Sequence, residues 1–257
     1  MDRKKLLDWI SSQSEENRLT CRRILDALLR AQRDGTGACT LFLSPEQKRA
    51  AESVLAHFPQ IRTRFYPEDT ERQVLCLTGG PEDPTEHLDL KLLQIAGDGA
   101  LSHRHILGAV MATGIERDRV GDIRTEDTIA QMLVKDSVVG YLCEALRQIG
   151  RQRVRLSIAE TLAFTIREQQ GETERIIVSS PRMDAVVAAV TRQARNKAQT
   201  LIRQGRIKRN HTVETDAKKT LSVGDVLSVR GYGRYTLLSE EGPTRKGNCV
   251  FTVSHTK

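Results

Sequence analysis

Apolar and polar positions change their period several times along the chain. Leu6, Leu7, Trp9 and Ile10 fit one short helical face, and Leu19, Ile24, Leu25, Leu28 and Leu29 fit a second. "CTLFLS" reads as a strand running into Ser44 and Pro45, an N-cap and a first helical residue that predict a helix over 45–57. "IRTRFY" and "RQVLCLTG" add strands. "TGGPEDPTE", residues 78–86, then breaks the pattern with two glycines and two prolines. Beyond it the rhythm is clearer. "LKLLQIAG" is a strand, and "SHRHILGAVMATG" is a helix begun by Ser102 and closed by Gly114. "RVGDIRT" and "IAQMLVK" are strands, and "DSVVGYLCEALRQIG" is a helix with Asp136 as N-cap and Gly150 just beyond its end. "QRVRLSIAE" closes the series, with "ERIIVSS" as an added edge strand. The order β-α-β-β-α-β is that of a ferredoxin-like sheet, the architecture of RRM domains. Its strands offer Leu, Ile, Val and Met rather than base-stacking aromatics. Ile106, Leu107, Val110 and Met111 are expected in its core, Gly108 at a close helix contact, and Gly121-Asp122 in a turn.

A second break, "SSPR" at 179–182, precedes two short helices. "RMDAVVAAV" (182–190) is the first. In the second, Ala198, Leu201 and Ile202 form a narrow apolar stripe that ends at Gly205, a residue suited to a left-handed C-cap. "LSVGDVLSVRGYGRYTLL" follows as strands, with Gly224-Asp225 as a turn. The fold expected is α+β in three small domains: residues 1–80, an RRM-like domain over 81–180, and 181–257.

Composition narrows the function. A hydrophobic content of 39% supports packed cores, and no run of 18 apolar residues is present to span a membrane. The N-terminus turns polar too early for a secretory signal. Five cysteines lie far apart with no CxxC pair, which suits a reducing cytoplasm and argues against a zinc site or disulfide framework. His103 and His105 lack further ligands nearby, and neither "TGG" nor "AGDGA" completes a nucleotide-binding loop, so no metal or cofactor is expected. The net charge of +7 is unevenly spread: residues 180–257 hold 15 Lys and Arg against 6 Asp and Glu, the rest 25 against 27. A basic final third points to nucleic acid. An anionic membrane would call for exposed aromatic anchors there, and the single Trp is Trp9, at the other end.

The densest part of that charge is "RNKAQTLIRQGRIKRN", residues 195–210, with Arg195, Lys197, Arg203, Arg206, Lys208 and Arg209. No acid occurs from 185 to 213 to neutralise them. Arginine predominates, and its planar fork suits phosphate. Arg206, Lys208 and Arg209 are expected to leave the Gly205 turn close to the flank of Arg195 and Arg203, making one cationic corner for RNA phosphates.

Around this stretch, "PRMDAVVA", "RNKAQTLIRQGRIKRN" and "LSVGDVLSV" resemble the S4 RNA-binding domain. Arg182, Asp184, Arg195, Ala198, Leu201, Ile202, Gly205, Asn210, Gly224 and Asp225 match its pattern. Met183, Ala194, Ile207 and Arg209 depart from the usual Leu, Ser, Val and Val, and "RNHTVE" departs from the commoner Val-Asn-Gly turn. "HRHILGAVMATGIERDRVGDI" and "RGYGRY" extend the resemblance to YlmH-type S4 proteins. That resemblance implies a monomeric, non-enzymatic bacterial factor of the cytoplasm. Its partners would be large-subunit rRNA, tRNA and the 50S subunit, where the family is thought to hold peptidyl-tRNA during tail addition to stalled chains. Arg195 is the leading RNA-contact candidate, with Arg182, Arg230 and Arg234 beside it. Arg182 has an alternative role as partner to Asp184. His103, Arg104, Arg117 and Arg119 are candidates for a second cationic patch, the alternative being a solvated face. The competing function is an RNA-modifying enzyme targeted by an S4 module, of the pseudouridine synthase or methyltransferase type; residues 1–180 show no catalytic signature for it.

Overall fold

Local signals set the helix ends in the first of two compact units, residues 1–168. A computed structural model describes residues 3–167, 172–244 and 247–256. Helix α1 spans Arg3–Ser11 and α2 Glu15–Asp34, the latter closed by Gly35 at φ +69°. Strand β1 (Ala38–Cys39) is shorter than "CTLFLS" suggested, and Leu43 adds only an isolated bridge to Gln73. Helix α3 (Pro45–Leu55) opens with a reciprocal cap: the Ser44 hydroxyl accepts from the Gln47 N–H at 3.2 Å, and Gln47 Oε1 accepts from the Ser44 N–H at 2.7 Å. Such a cap contributes about 1 kcal/mol. Gln47 Nε2 also donates to Glu16 and Thr20, so the same side chain docks α3 on α2. Strands β2 (Arg62–Tyr66) and β3 (Val74–Thr78) complete a three-stranded antiparallel sheet in the order β1-β3-β2.

The expected strand and helix series follows, with one strand added: β4 (Leu90–Gly97), α4 (His103–Ala112), β5 (Val120–Glu126), β6 (Ile129–Lys135), α5 (Val139–Ala145), β7 (Gln148–Ile149), which lies in the stretch expected to be helix, and β8 (Gln152–Ile158). The sheet is antiparallel in the order β5-β6-β4-β8-β7. Helix α5 is shorter than expected. Asp136 starts a 3-10 turn instead of capping it, and Gly150, at φ +60°, turns the β7–β8 hairpin. Gly121-Asp122 is not a turn but part of β5, at a bulge between Val120 and Ile123. A Cβ on Gly121 would stand 2.6 Å from the buried Phe42 ring, so close approach is what requires glycine there. Gly108 makes no such contact and faces open space.

Both faces of this sheet are used. Leu93, Ile95, Met132 and Val134 pack under Ile106, Val110, Val139 and Leu142 of the two helices. On the opposite face Leu90, Leu92 and Leu133 meet Phe42, Val74 and Cys76 in one buried cluster. Lys135, 3% exposed, donates to the Thr40 carbonyl at 2.9 Å and pairs with Asp89. The break at 78–86 is therefore a connection within one unit, because residues on its two sides share a core.

The second unit, residues 169–257, contains β9 (Glu172–Val178), α6 (Met183–Thr191), α7 (Arg195–Arg203), β10 (Ile207–Arg209), β11 (Thr212–Val213), β12 (Val226–Val229), β13 (Gly233–Glu241) and β14 (Cys249–Thr256). Its sheet order is β11-β10-β12-β13-β14-β9. The strand expected as an edge of the central sheet, "ERIIVSS", belongs here: Thr173–Val178 pair antiparallel with Ser254–Cys249. Ile176 and Val178 bury their side chains in the core beneath α6, which decides the partner. The change of unit thus precedes β9 rather than falling at "SSPR". One face of the sheet, with Ile207, Leu227, Val229 and Leu237, packs against Val186, Val187, Val190, Ala198, Leu201 and Ile202 of the two helices.

Candidate nucleic-acid interface

The two short helices meet on one buried carboxylate. Asp184, in the first turn of α6, is fully buried. It accepts two bonds from Arg182 (3.1 and 3.0 Å), two from Arg195 (3.1 and 3.0 Å) and one from Gln199 (2.8 Å). Burial by itself would raise the Asp184 pKa, but the bonds from Arg195, Arg182 and Gln199 outweigh it and hold the carboxyl well below its usual range. The same contact raises the Arg195 pKa. Arg195 and Gln199 stand one turn apart on α7, so both reach the carboxylate from one face, and Arg203 continues that row toward Gly205. Gln199, which no charge pattern singles out, is the member that sequence reasoning missed. The side chains of Arg182 and Arg195 remain 35% and 45% exposed, so each fixed guanidinium still has an open edge.

Strand alternation separates the cations that follow. Gly205, at φ +66°, turns the chain into β10. Ile207 and Arg209 point to the helix-covered face and Lys208 to the other, where it lies across from Ser228 and, beyond that, Arg234. The expected grouping of Arg206, Lys208 and Arg209 on one flank is therefore corrected. Arg209 stands where the S4 pattern usually has valine, and its guanidinium pairs with Asp225 at 2.7 Å, leaving its Nε buried without a partner. Asp225 also accepts from Asn210 (2.7 Å) and from the Ser222 N–H (2.8 Å). These bonds, led by that from Arg209, outweigh burial and depress its pKa. Asn210 and His211, at φ +48° and +73°, make the two-residue turn between β10 and β11. The His211 ring lies 3.3 Å from Arg234. The Arg230 N–H donates to the Arg206 carbonyl at 3.0 Å, which sets those two cations side by side.

Apart from Arg234, whose guanidinium meets His211, the candidates fall into two classes. Arg182, Arg195 and Arg209 are held by buried carboxylates. Lys197, Arg203, Arg206, Lys208 and Arg230 are exposed and have no carboxylate partner among the described residues.

Of the second-patch candidates on residues 103–119, two are engaged locally. Arg117 turns inward to the carbonyls of Val120 and Gly121, and burial, with Arg72 nearby, pushes its pKa down to about 10. Arg119 pairs with Glu116 at 3.5 Å. His103 and Arg104 sit on the first turn of α4, where desolvation and then the Arg117 charge lower the His103 pKa. Asp122 is structural: it accepts the N–H groups of Glu71 (2.7 Å) and Arg72 (3.0 Å). Among the described residues no group of three His, Cys, Asp or Glu comes together as a metal site, and no helix is long and apolar enough to cross a membrane.

Residues 85–162 match the family described as "Putative RNA-binding domain in YlmH", and residues 182–227 match the S4 domain. Ribosome-associated protein quality control protein P2 of Bacillus subtilis (strain 168) is 35% identical over 158 residues, which are 62% of this chain and 62% of that protein. The chain thus spans a little under two thirds of the length of that relative. The solved structure of cell division protein ylmH from Streptococcus pneumoniae covers 57% of this chain and 93% of its own, at 18% identity and a TM-score of 0.49. Neither matched domain is of a catalytic type. The chain thus carries a stretch similar to the putative RNA-binding domain in YlmH, followed by an S4 domain.

Proposed function

We propose that the protein binds large-subunit rRNA and tRNA through the S4 unit and acts without catalysis in ribosome-associated quality control, holding peptidyl-tRNA on stalled, split large subunits. The observation that carries this reading is the set of five exposed cations without carboxylate partners among the described residues, Lys197, Arg203, Arg206, Lys208 and Arg230. Beside them, Arg182 and Arg195 are held rigid by Asp184 with an edge still open. Fixed guanidiniums lose little side-chain entropy on meeting phosphate, whereas the mobile cations supply the long-range attraction. The relative's name supplies the ribosomal setting. The order β4-α4-β5-β6-α5-β8 and the sheet order β5-β6-β4-β8 support an RRM-like reading of the central part. Its open face cannot serve as a stacking platform, since Phe42, Val74 and Cys76 cover Leu90, Leu92 and Leu133.

Five phosphate contacts imply an affinity that falls roughly 100- to 500-fold between 50 and 200 mM salt. The test is crosslinking to cellular RNA with mapped contacts, for the wild type and for Arg203→Ala/Arg206→Ala. Large-subunit rRNA and tRNA reads that drop in the variant support the reading. Reads confined to mRNA, or unchanged by the substitutions, overturn it.

A further inference from the structure

The run from Arg147 to Arg155 carries four arginines, and no acid occurs between Glu144 and Glu160. It folds as the β7–β8 hairpin, and Arg147, Arg151, Arg153 and Arg155 are all exposed. Arg147 Nε donates to the Glu144 carbonyl at 3.0 Å. None of the four has a carboxylate partner among the described residues.

Register fixes the direction of the inner pair. Val154 and Leu156 pack toward the helices, so Arg153, Arg155 and Ser157 project from the opposite face of the sheet. Most of that face is closed. Phe42, Val74 and Cys76 cover one part. Elsewhere Gln131 Oε1 accepts the N–H groups of Thr165 (2.8 Å) and Ile166 (2.9 Å), and the Arg124 guanidinium lies 4.2 Å over the Phe164 ring. What stays open is the strip where Gln148 faces Arg153, Ala96 faces Arg155 and Gln94 faces Ser157, all six exposed. Asp98, at its end, spends its carboxylate on the Arg153 backbone N–H at 3.0 Å.

We infer that this strip is a second RNA-binding surface, on which Arg153 and Arg155 grip the phosphate backbone with Arg147 and Arg151 flanking them. The inference deepens the proposed function and rests on it for the class of partner. The chemistry favours RNA over an acidic protein. All four cations are arginine, whose fork meets two phosphate oxygens at once. Among the described residues the strip carries no aromatic anchor, and its apolar flank is a single side chain, Ile129, exposed across from Ala96, short of the apolar cluster on which protein interfaces centre. With no aromatic ring on which a base could stack, the surface reads backbone and not sequence.

The test uses the full chain and a fluorescein-labelled 20-nucleotide polyuridine strand, with affinity measured by anisotropy across a salt series. For Arg153→Ala/Arg155→Ala the slope of log K against log salt becomes shallower by about 1.4, two contacts at about 0.7 each. Arg153→Lys/Arg155→Lys keeps the wild-type slope. An alanine pair with an unchanged slope, or a lysine pair that loses as much as the alanine pair, overturns the inference. Arg203→Ala/Arg206→Ala in the same assay separates the two readings. If it alone lowers the slope, the hairpin surface is refuted and the S4 reading stands. If only the hairpin variant does, the hairpin surface stands and the S4 reading falls.

Discussion

Replacing Asp184 with asparagine keeps its shape and removes the charge on which α6 and α7 converge. Five hydrogen bonds from two guanidiniums and one amide end on this fully buried carboxylate. Breaking a buried ion pair costs about 3–5 kcal/mol when the surviving charge stays buried. Here the survivors, Arg182 and Arg195, are 35% and 45% exposed and turn to water, so the loss is nearer 2–3 kcal/mol. Amide hydrogen exchange, read by mass spectrometry on α6–α7 peptides, reports it as roughly 30- to 150-fold faster exchange through unfolding of that unit. The single Trp, Trp9, lies in the other unit, so its emission in a urea titration serves as a control that stays put. The pH dependence has a definite sign. A folded-state pKa below the unfolded value of about 3.9 means the stabilisation is fully present above that value and is lost as pH falls through the depressed one. Wild-type protection of α6–α7, corrected for intrinsic exchange, is therefore level from neutral pH to about 5 and declines below 4, and the asparagine variant lacks this contribution to the decline. Acceleration of less than about fivefold, near 1 kcal/mol, refutes the assigned role of Asp184.

Three further outcomes follow from local geometry. Gly121→Ala drives a Cβ to 2.6 Å from Phe42 Cε1 and 3.1 Å from Leu133 Cβ, so the urea midpoint read by Trp9 falls by the equivalent of about 1–3 kcal/mol; an unchanged midpoint would mean that Phe42 has room to move. His211→Gly relieves a left-handed residue at φ +73° and raises stability by about 0.5–1 kcal/mol after the glycine entropy cost, visible as a higher melting temperature of the S4 unit. Iodoacetamide at mildly alkaline pH alkylates Cys39 before Cys76. The hydrogen bond between the two thiols, with Lys135 nearby, lowers the pKa of Cys39, whereas that bond and burial raise that of Cys76; equal labelling rates by peptide mass spectrometry count against this assignment.

Much of the cationic surface was legible because helix ends and helix faces are written in short windows. Ser44-Pro45, Ser102 and Gly205 each act through bonds or dihedral angles within a few residues. The Ala198, Leu201 and Ile202 stripe placed α7 on the core, and all three are buried. The leading choice of Arg195 led to Asp184, but the pattern did not reveal that its charge is already paired. Nor did spacing show that Arg209 looks inward, because a strand reverses its side chains at each residue and Arg209 shares the face of Ile207. The arginines of the β7–β8 hairpin had a signal in the sequence, an acid-free run, but their significance depends on which sheet face remains uncovered.

The sequence by itself determined the starts of α3 and α4 and the Gly205 stop after α7, the β-α-β-β-α-β succession within residues 90–158, the basic final third and the S4 pattern within it. These rest on periodicity, capping and charge, which act locally or add up over the chain. Only the tertiary structure decided that β9 joins β14, that residues on both sides of 78–86 share a core, and that Asp184 binds Arg182, Arg195 and Gln199 together. It also decided which cations stay exposed without carboxylate partners among the described residues. Those outcomes depend on contacts between distant segments, where burial of one side chain selects the partner of another.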